Sequence, residues 1–315
     1  MIFLNILLLI IGFILLVKGA DYFVEGCSKV ARVFGIPSLI IGLTIVAFGT
    51  SAPEAAVSTI ASISGKNDIS IGNVVGSNIC NLLLVLGVSS LFGSLTCTKK
   101  VVSRDMIYSI FSYIVLIILS AGFFINGEST GIITRTNGLI LLCFLGIYVY
   151  ALVGEAMSSI KKKEKKEKFH FINIIFIILG LAGIIGGGQL VVNSATTIAS
   201  FIGISDSVIA LTVVAIGTSL PELVTSVMAV KKGETDLAIG NIIGSNIFNC
   251  FFILGLSSTV SPISFGLNSF IDMIIMLLIG ILVLVFTLKN NRIGRKKGII
   301  MLSLYAIYTI FILFR

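Results

Sequence analysis

The sequence predicts an all-α integral membrane protein of ten transmembrane helices, arranged as two inverted five-helix repeats. Three observations lead there. Hydrophobic residues fill 57% of the 315 positions and charged residues only 11%, with a mean hydropathy of +1.14; soluble domains carry about 25% charged residues. The basic residues lie between apolar runs and sort to one side. One polar motif is also written twice, each time inside a run long enough to cross a bilayer.

A span needs about 20 mostly apolar residues. Ten segments qualify: 2–24, 38–63, 70–93, 106–126, 131–154, 171–198, 206–230, 238–260, 267–288 and 297–314. Of the 22 Lys and Arg, 19 fall in or beside the odd-numbered loops, leaving Lys66, Arg135 and Arg315 for the other side. By the positive-inside rule the odd loops are cytoplasmic and both termini outside. The same sorting accounts for the net charge of +8 without nucleic acid. The run KKKEKKEK at 161–168 reads as a solvated cytoplasmic linker, and His170, the only histidine, as a loop residue. The first apolar run lacks a basic leader and a clear cleavage site, so it is expected to remain as the first span. The five cysteines show no paired spacing and read as reduced thiols. Asp21, one turn from Lys18, and Asp105, Asp206 and Asp272, near span ends, read as interfacial.

The duplication has a fixed offset. AFGTSAPE (47–54) recurs as AIGTSLPE (215–222), and IGNVVGSNICN (71–81) as IGNIIGSNIFN (239–249), each 168 positions later. Residues 41–90 and 209–258 align without a gap with 26 identities in 50. Five spans per copy is an odd number, so the copies enter the membrane in opposite directions. Inverted repeats with paired helix breaks indicate a secondary transporter with its site between the halves. The organisation is an N-terminal half (1–154), a linker (155–170) and a C-terminal half (171–315).

Ala47, Thr50, Ser51 and Glu54 follow i, i+3, i+4, i+7 spacing and share one helix face. Pro53 has no N–H, so it denies the Gly49 carbonyl its helical donor and opens the turn. A bound cation could satisfy such a carbonyl in hydrocarbon. Asn73, Ser77 and Asn81 form a second stripe. Gly72 and Gly76 beside it form a small-xxx-small pattern that permits close helix approach. The second half repeats both stripes with Ala215, Thr218, Ser219 and Glu222, then Asn241, Ser245 and Asn249. The donor set is all oxygen, with no paired His or Cys, which favours hard cations such as Ca²⁺ or Na⁺ over zinc or copper. Two glutamates neutralise one Ca²⁺. Glu54 and Glu222 are expected to be functional, because intramembrane carboxylates without basic partners mark ion paths. Asn73, Asn78, Asn241 and Asn246 are open to either a structural or a ligating role.

These paired motifs resemble the α-repeats of the cation/calcium exchanger superfamily, with the prokaryotic sodium/calcium exchanger branch the best match. The resemblance covers nearly the whole chain. It implies a core of segments two, three, seven and eight, with segments one and six sliding across it to alternate access. By matching positions it implies cation ligation by the Ala47 and Ala215 carbonyls, Thr50, Thr218, Ser51, Ser219, Glu54, Glu222, Ser77 and Ser245, with Asn81 and Asn249 lining the middle. It further implies exchange of three Na⁺ for one Ca²⁺, an electrogenic cycle, since two carboxylates leave the sodium-loaded site at +1. The expected partners are Ca²⁺ and Na⁺ as substrates and the bilayer. No cofactor, nucleic acid or obligatory protein partner is expected, and no enzymatic activity. Several relatives, including potassium-dependent exchangers, have aspartate at the position of Asn249, so potassium dependence is not expected here. The rival within the superfamily is a proton/calcium antiporter, whose branch departs from GTSxPE. A hydrolase using Ser51 or Ser219 would need a buried base, yet no histidine lies in a span. A channel fits two inverted copies around one site less well than alternating access.

Overall fold

A computed structural model of the chain describes residues 2–98, 101–122, 125, 127, 130–160, 170–203, 215–288 and 291–314, with the backbone alone at Ala215. The linker run 161–168, Asp206 and the start of the predicted seventh segment lie outside the described residues. In chain order the helices are α1 (Ile2–Phe34), α2 (Ser38–Thr50), α3 (Ala52–Ile63), α4 (Asn67–Phe92), α5 (Val101–Ser120), α6 (Arg135–Ile160), α7 (Ile172–Phe201), α8 (Ala215–Thr218), α9 (Leu220–Lys231), α10 (Thr235–Val260), α11 (Leu267–Leu288) and α12 (Arg295–Leu313). Eight of them are long and apolar enough to cross a membrane, and α2 with α3 makes a ninth, bent by 48° at Ser51. This is an all-α, multi-pass membrane architecture. Its outer surface displays Phe3, Leu4, Ile118, Leu179 and Ile307, side chains that suit lipid and not water.

Two helices occupy the centre. Every residue of α10 from Leu237 to Phe248 is buried, and α4 is buried along most of its length. Glycines set how closely the helices approach. A Cβ at Gly42 would stand 2.5 Å from the Leu237 carbonyl, and one at Gly240 2.6 Å from that of Leu39, so α2 and α10 cross backbone to backbone. The stretch that the 168-residue offset would bring to Gly72 and Gly76 begins near 206, outside the described residues. Gly12 and Gly19 of α1 meet Gly187 and Gly180 of α7 in the same way, at 3.0 and 2.8 Å from their carbonyls. The two longest helices therefore pack as one pair.

Two short ribbons close the ends. β1 (Leu95–Thr96) pairs with β4 (Arg292–Ile293), and β2 (Gly131–Ile133) with β3 (Ile263–Phe265), both antiparallel. The first joins predicted loops 3–4 and 9–10; the second joins loop 8–9 to residues 131–133, predicted as the start of the fifth segment but extended here, with the helix beginning at Arg135. Each ribbon thus links stretches that the distribution of Lys and Arg assigns to one face.

Two acidic residues read as interfacial have partners that the sequence did not indicate. Asp105 is fully buried, bonded to Arg104, whose guanidinium also meets Glu155. Burial is affordable there because the opposite charge comes from the adjacent residue. Asp21 reaches Lys232 at 2.8 Å, across to the α9–α10 turn. All five cysteines are free and only Cys143 is exposed. Burial between α4 and α5 pushes the Cys97 thiol up to about 12, which makes it a poor nucleophile.

Candidate cation-binding site

The helix breaks sit at equivalent places. Ser51 (φ −84°, ψ 6°) separates α2 from α3, and Ser219 (φ −89°, ψ 3°) separates α8 from α9. The turn that the sequence opens at the Gly49 carbonyl breaks at Ser51, two residues before Pro53. The ring excludes the carbonyl four residues back, so a new helix starts with proline in its first turn, where a missing N–H costs nothing. Glu54 and Glu222 then stand in the first turns of α3 and α9, where the helix dipole favours a negative charge.

Both carboxylates are buried, Glu54 at 0% and Glu222 at 1% exposure. Each is the other's charged neighbour, and no ion pair reaches either among the described residues. Ser51 Oγ donates to Glu222 Oε1 at 2.9 Å, and Ser245 Oγ approaches the same oxygen at 3.4 Å. Ser77 approaches Glu54 without reaching hydrogen-bond geometry. Three of the four carboxylate oxygens, both of Glu54 and Oε2 of Glu222, have no hydrogen-bond partner among the described residues, nor does Ser219 Oγ. Buried polar groups are normally satisfied; a carboxylate left bare at this depth costs several kcal/mol. Together these orphans make an oxygen-lined cradle suited to hard cations.

An asparagine frame surrounds the cradle. Asn73 Nδ2 donates to the Glu54 carbonyl (3.3 Å) and Ser58 Oγ (2.9 Å); Asn241 Nδ2 donates to the Glu222 carbonyl (3.4 Å) and Ser226 Oγ (3.0 Å). Thr50 Oγ1 donates across to Asn241 Oδ1 at 3.0 Å, and Thr218 Oγ1 to Asn73 Oδ1 at 3.4 Å. Every one of these bonds has its counterpart 168 residues on. Asn81 Nδ2 donates to Asn246 Oδ1 (3.1 Å) and Asn249 Nδ2 to Asn78 Oδ1 (2.9 Å), each crossing between the halves. Their own carbonyl oxygens, Asn81 Oδ1 and Asn249 Oδ1, are buried without partners among the described residues. One π-helical turn begins at Asn81 and another at Asn249, a widening common at functional sites. No residue pattern in the sequence announced it.

The structure therefore brings Thr50, Ser51, Glu222 and Ser245 into one connected set and turns the amides of Asn81 and Asn249 toward the opposite half. Asn73 and Asn241 are satisfied bracing groups. Ser58 and Ser226, absent from the expected site, complete the brace; their only sequence signal was identity at the 168-residue offset. The Ala47 carbonyl accepts the Ser51 N–H at 3.0 Å and Ser245 Oγ at 3.5 Å, so it is engaged. The Ser219 N–H goes instead to Ile216 at 3.2 Å, not to Ala215. A cavity of about 600 Å³ runs from Thr218, Pro221 and Pro53 to exposed Ser64 and Lys66 at the end of α3. A smaller one, about 100 Å³, meets Ser51 among Phe48, Phe248 and Phe252.

The profile of the sodium/calcium exchanger protein family matches residues 4–154 and 172–314. The chain belongs to that family. It is similar to the sodium/calcium exchanger MaX1 of Methanosarcina acetivorans, 34% identical over 345 residues that cover 98% of this chain and 99% of that one. It is also similar to the inner membrane protein YrbG of Escherichia coli, at 35% identity covering 96% and 94%. Among solved structures, the sodium-calcium exchanger NCX_Mj soaked with 2.5 mM Na⁺ and 10 mM Sr²⁺ superposes with a TM-score of 0.84 at 34% identity, covering 98% of each chain. For this exchanger-family member, the transporter class predicted from the paired motifs stands.

Proposed function

We propose that the protein is a secondary antiporter that exchanges Na⁺ for Ca²⁺ by alternating access, with three Na⁺ moved per Ca²⁺ and net charge carried in the sodium step. The observation that supports it best is the pair Glu54 and Glu222: two buried, neighbouring carboxylates that, among the described residues, have no basic partner and three bare oxygens, ringed by hydroxyl and amide oxygens. Two negative charges match one Ca²⁺, and an oxygen cradle suits both ions. Ala47, Thr50, Ser51, Glu54, Ser77 and Asn81 from the first half, with Ala215, Thr218, Ser219, Glu222, Ser245 and Asn249 from the second, form the site. Ten spans then divide into inverted halves, 1–154 and 171–315, joined by a cytoplasmic linker at 155–170 and with both termini outside. The exchange of bonding partners at the 168-residue offset and the like-faced ribbons support that arrangement.

The test is ⁴⁵Ca²⁺ uptake into sodium-loaded proteoliposomes at clamped pH, with the bath switched between Na⁺ and choline. Uptake that requires the outward Na⁺ gradient and generates a membrane potential is expected. Uptake driven by a pH step and indifferent to Na⁺ would transfer the protein to proton/calcium antiport.

A further inference from the structure

At one end of the molecule α1 is tied to the α9–α10 turn by charge. Lys232 Nζ meets Asp21 Oδ1 at 2.8 Å, the Asp21 carbonyl at 2.9 Å and Glu25 Oε2 at 3.4 Å. Glu234 receives Arg32 Nη1 at 2.9 Å and the Ser38 hydroxyl at 3.1 Å. Lys29 meets Glu25 at 2.6 Å within α1. These groups come from both sides of the one seam between α1 and the turn that joins the two site-bearing helices α9 and α10.

The 168-residue offset gives an internal control. The positions equivalent to Asp21, Glu25, Lys29 and Arg32 are Gln189, Asn193, Thr197 and Ser200 on α7, and those equivalent to Lys232 and Glu234 are Ser64 and Lys66. All four on α7 are neutral, and three of them bond within their own helix: Gln189 Nε2 to Asn193 Oδ1 at 2.7 Å, and Thr197 Oγ1 to the Asn193 carbonyl at 2.9 Å. Where the clasp would be, the 600 Å³ cavity opens, lined by Gln189, Ser64 and Lys66. The repeat thus keeps the helices and glycines on both faces, but among the described residues the α7 seam carries Lys66 as its one charge and no ion pair, and that seam is the open one.

We propose that Asp21, Glu25 and Arg32 of α1, with Lys232 and Glu234, form an ionic clasp that holds the cytoplasmic side shut and makes the resting carrier open toward the opposite face. The proposal rests on the alternating-access reading. α1 and α7 touch backbone to backbone through their glycines, so they move as a pair. Opening the charged seam separates α1 from the turn and breaks three ion pairs together. A lone exposed ion pair contributes little. Here Lys232 is shared by two carboxylates and Glu234 by a guanidinium and a hydroxyl, so the groups act as a network.

The test reads conformation directly. Val57 lines the cavity, and a Val57→Cys variant in a Cys143→Ser background leaves four native cysteines, all buried. Labelling by a membrane-impermeant maleimide is timed in oriented proteoliposomes. Arg32→Glu alone and Glu234→Arg alone should each slow labelling by about 3- to 10-fold, and the two together should restore it. Rescue by the swapped pair separates a clasp from simple misfolding. Asp21→Asn with Glu25→Gln should slow labelling likewise, and about 1 M salt should do so in the parent. Unchanged labelling in the single variants, or a swapped pair no better than either, would overturn the clasp. ⁴⁵Ca²⁺ exchange is measured on the same vesicles. Shifted labelling without exchange in the parent would sink the exchange reading and keep the clasp; exchange with unshifted labelling would do the reverse.

Discussion

Glu54 and Glu222 sit in matching motifs, yet the protein holds them differently. Glu222 accepts from Ser51 and Ser245, whereas Glu54 has two bare oxygens. Thr50 is fully buried and Ser51 engaged; Thr218 keeps 8% exposure beside the cavity, and Ser219 Oγ has no partner among the described residues. A duplicated sequence supplied the same chemistry twice, but the fold holds the two copies unequally, with the larger cavity on the Thr218 side. The N-terminal motif lends its hydroxyl to the C-terminal carboxylate, and the reciprocal bond is not made.

The sharpest way to break the comparison is to neutralise each carboxylate separately. Removing one partner of a buried charge set costs about 3–5 kcal/mol, so Glu54→Gln and Glu222→Gln should each weaken Ca²⁺ binding on the order of 100-fold or more. Exchange by ⁴⁵Ca²⁺ flux should vanish in both. Ion-free thermal unfolding should separate them. Glu54→Gln relieves an unpartnered buried charge and should raise the transition temperature, while Glu222→Gln replaces the charged acceptor of Ser51 by a weaker neutral one and should gain less. Equal shifts would mean the asymmetry does not survive in the membrane.

The serines give the next effect. A hydrogen bond to a charged group is worth about 1.5–3 kcal/mol, so Ser51→Ala should destabilise the ion-free protein measurably. Ser219→Ala should leave ion-free stability within about 0.5 kcal/mol and still weaken ion binding. Denaturant unfolding in chelator, compared with Ca²⁺ titration, distinguishes the two. Among the braces, Asn241 is fully buried and Asn73 only partly. Stranding the groups it satisfies makes Asn241→Ala cost about 1–3 kcal/mol, and Asn73→Ala should cost less.

What the sequence made legible follows from what repeats. Thr50/Thr218, Glu54/Glu222 and Asn81/Asn249 stood out because polar identity at one offset inside apolar runs has no packing explanation. The spans were legible because hydrocarbon allows few alternatives to a helix. The opening ahead of Pro53 was legible from its missing N–H, but not that Ser51 would be the residue to leave helical geometry, because any residue of the turn before a proline can absorb the break. The π-helical turns at Asn81 and Asn249 and the Asn78–Asn249 and Asn81–Asn246 crossings depend on which backbones meet, and composition does not encode that. Asp105 looked interfacial because the distance of Glu155 from Arg104, 51 residues along the chain, hid the pairing.

The smallest expected effect tests the cavity end of the comparison. Lys66 lines the cavity that reaches Thr218, the path for a cation in the proposed function, while its counterpart Glu234 is occupied with Arg32 and Ser38. A positive charge at that mouth repels arriving Ca²⁺, and the repulsion acts over a Debye length of about 10 Å at 0.1 M salt. Lys66→Glu should raise the second-order rate of Ca²⁺ capture by a few-fold at low ionic strength and leave the maximal exchange rate unchanged, since the residue touches neither carboxylate. The gain should shrink toward parity near 1 M salt. A rate increase that persists at high salt would instead indicate a changed cavity shape, and a fall in the maximal rate would place Lys66 in the transport step itself.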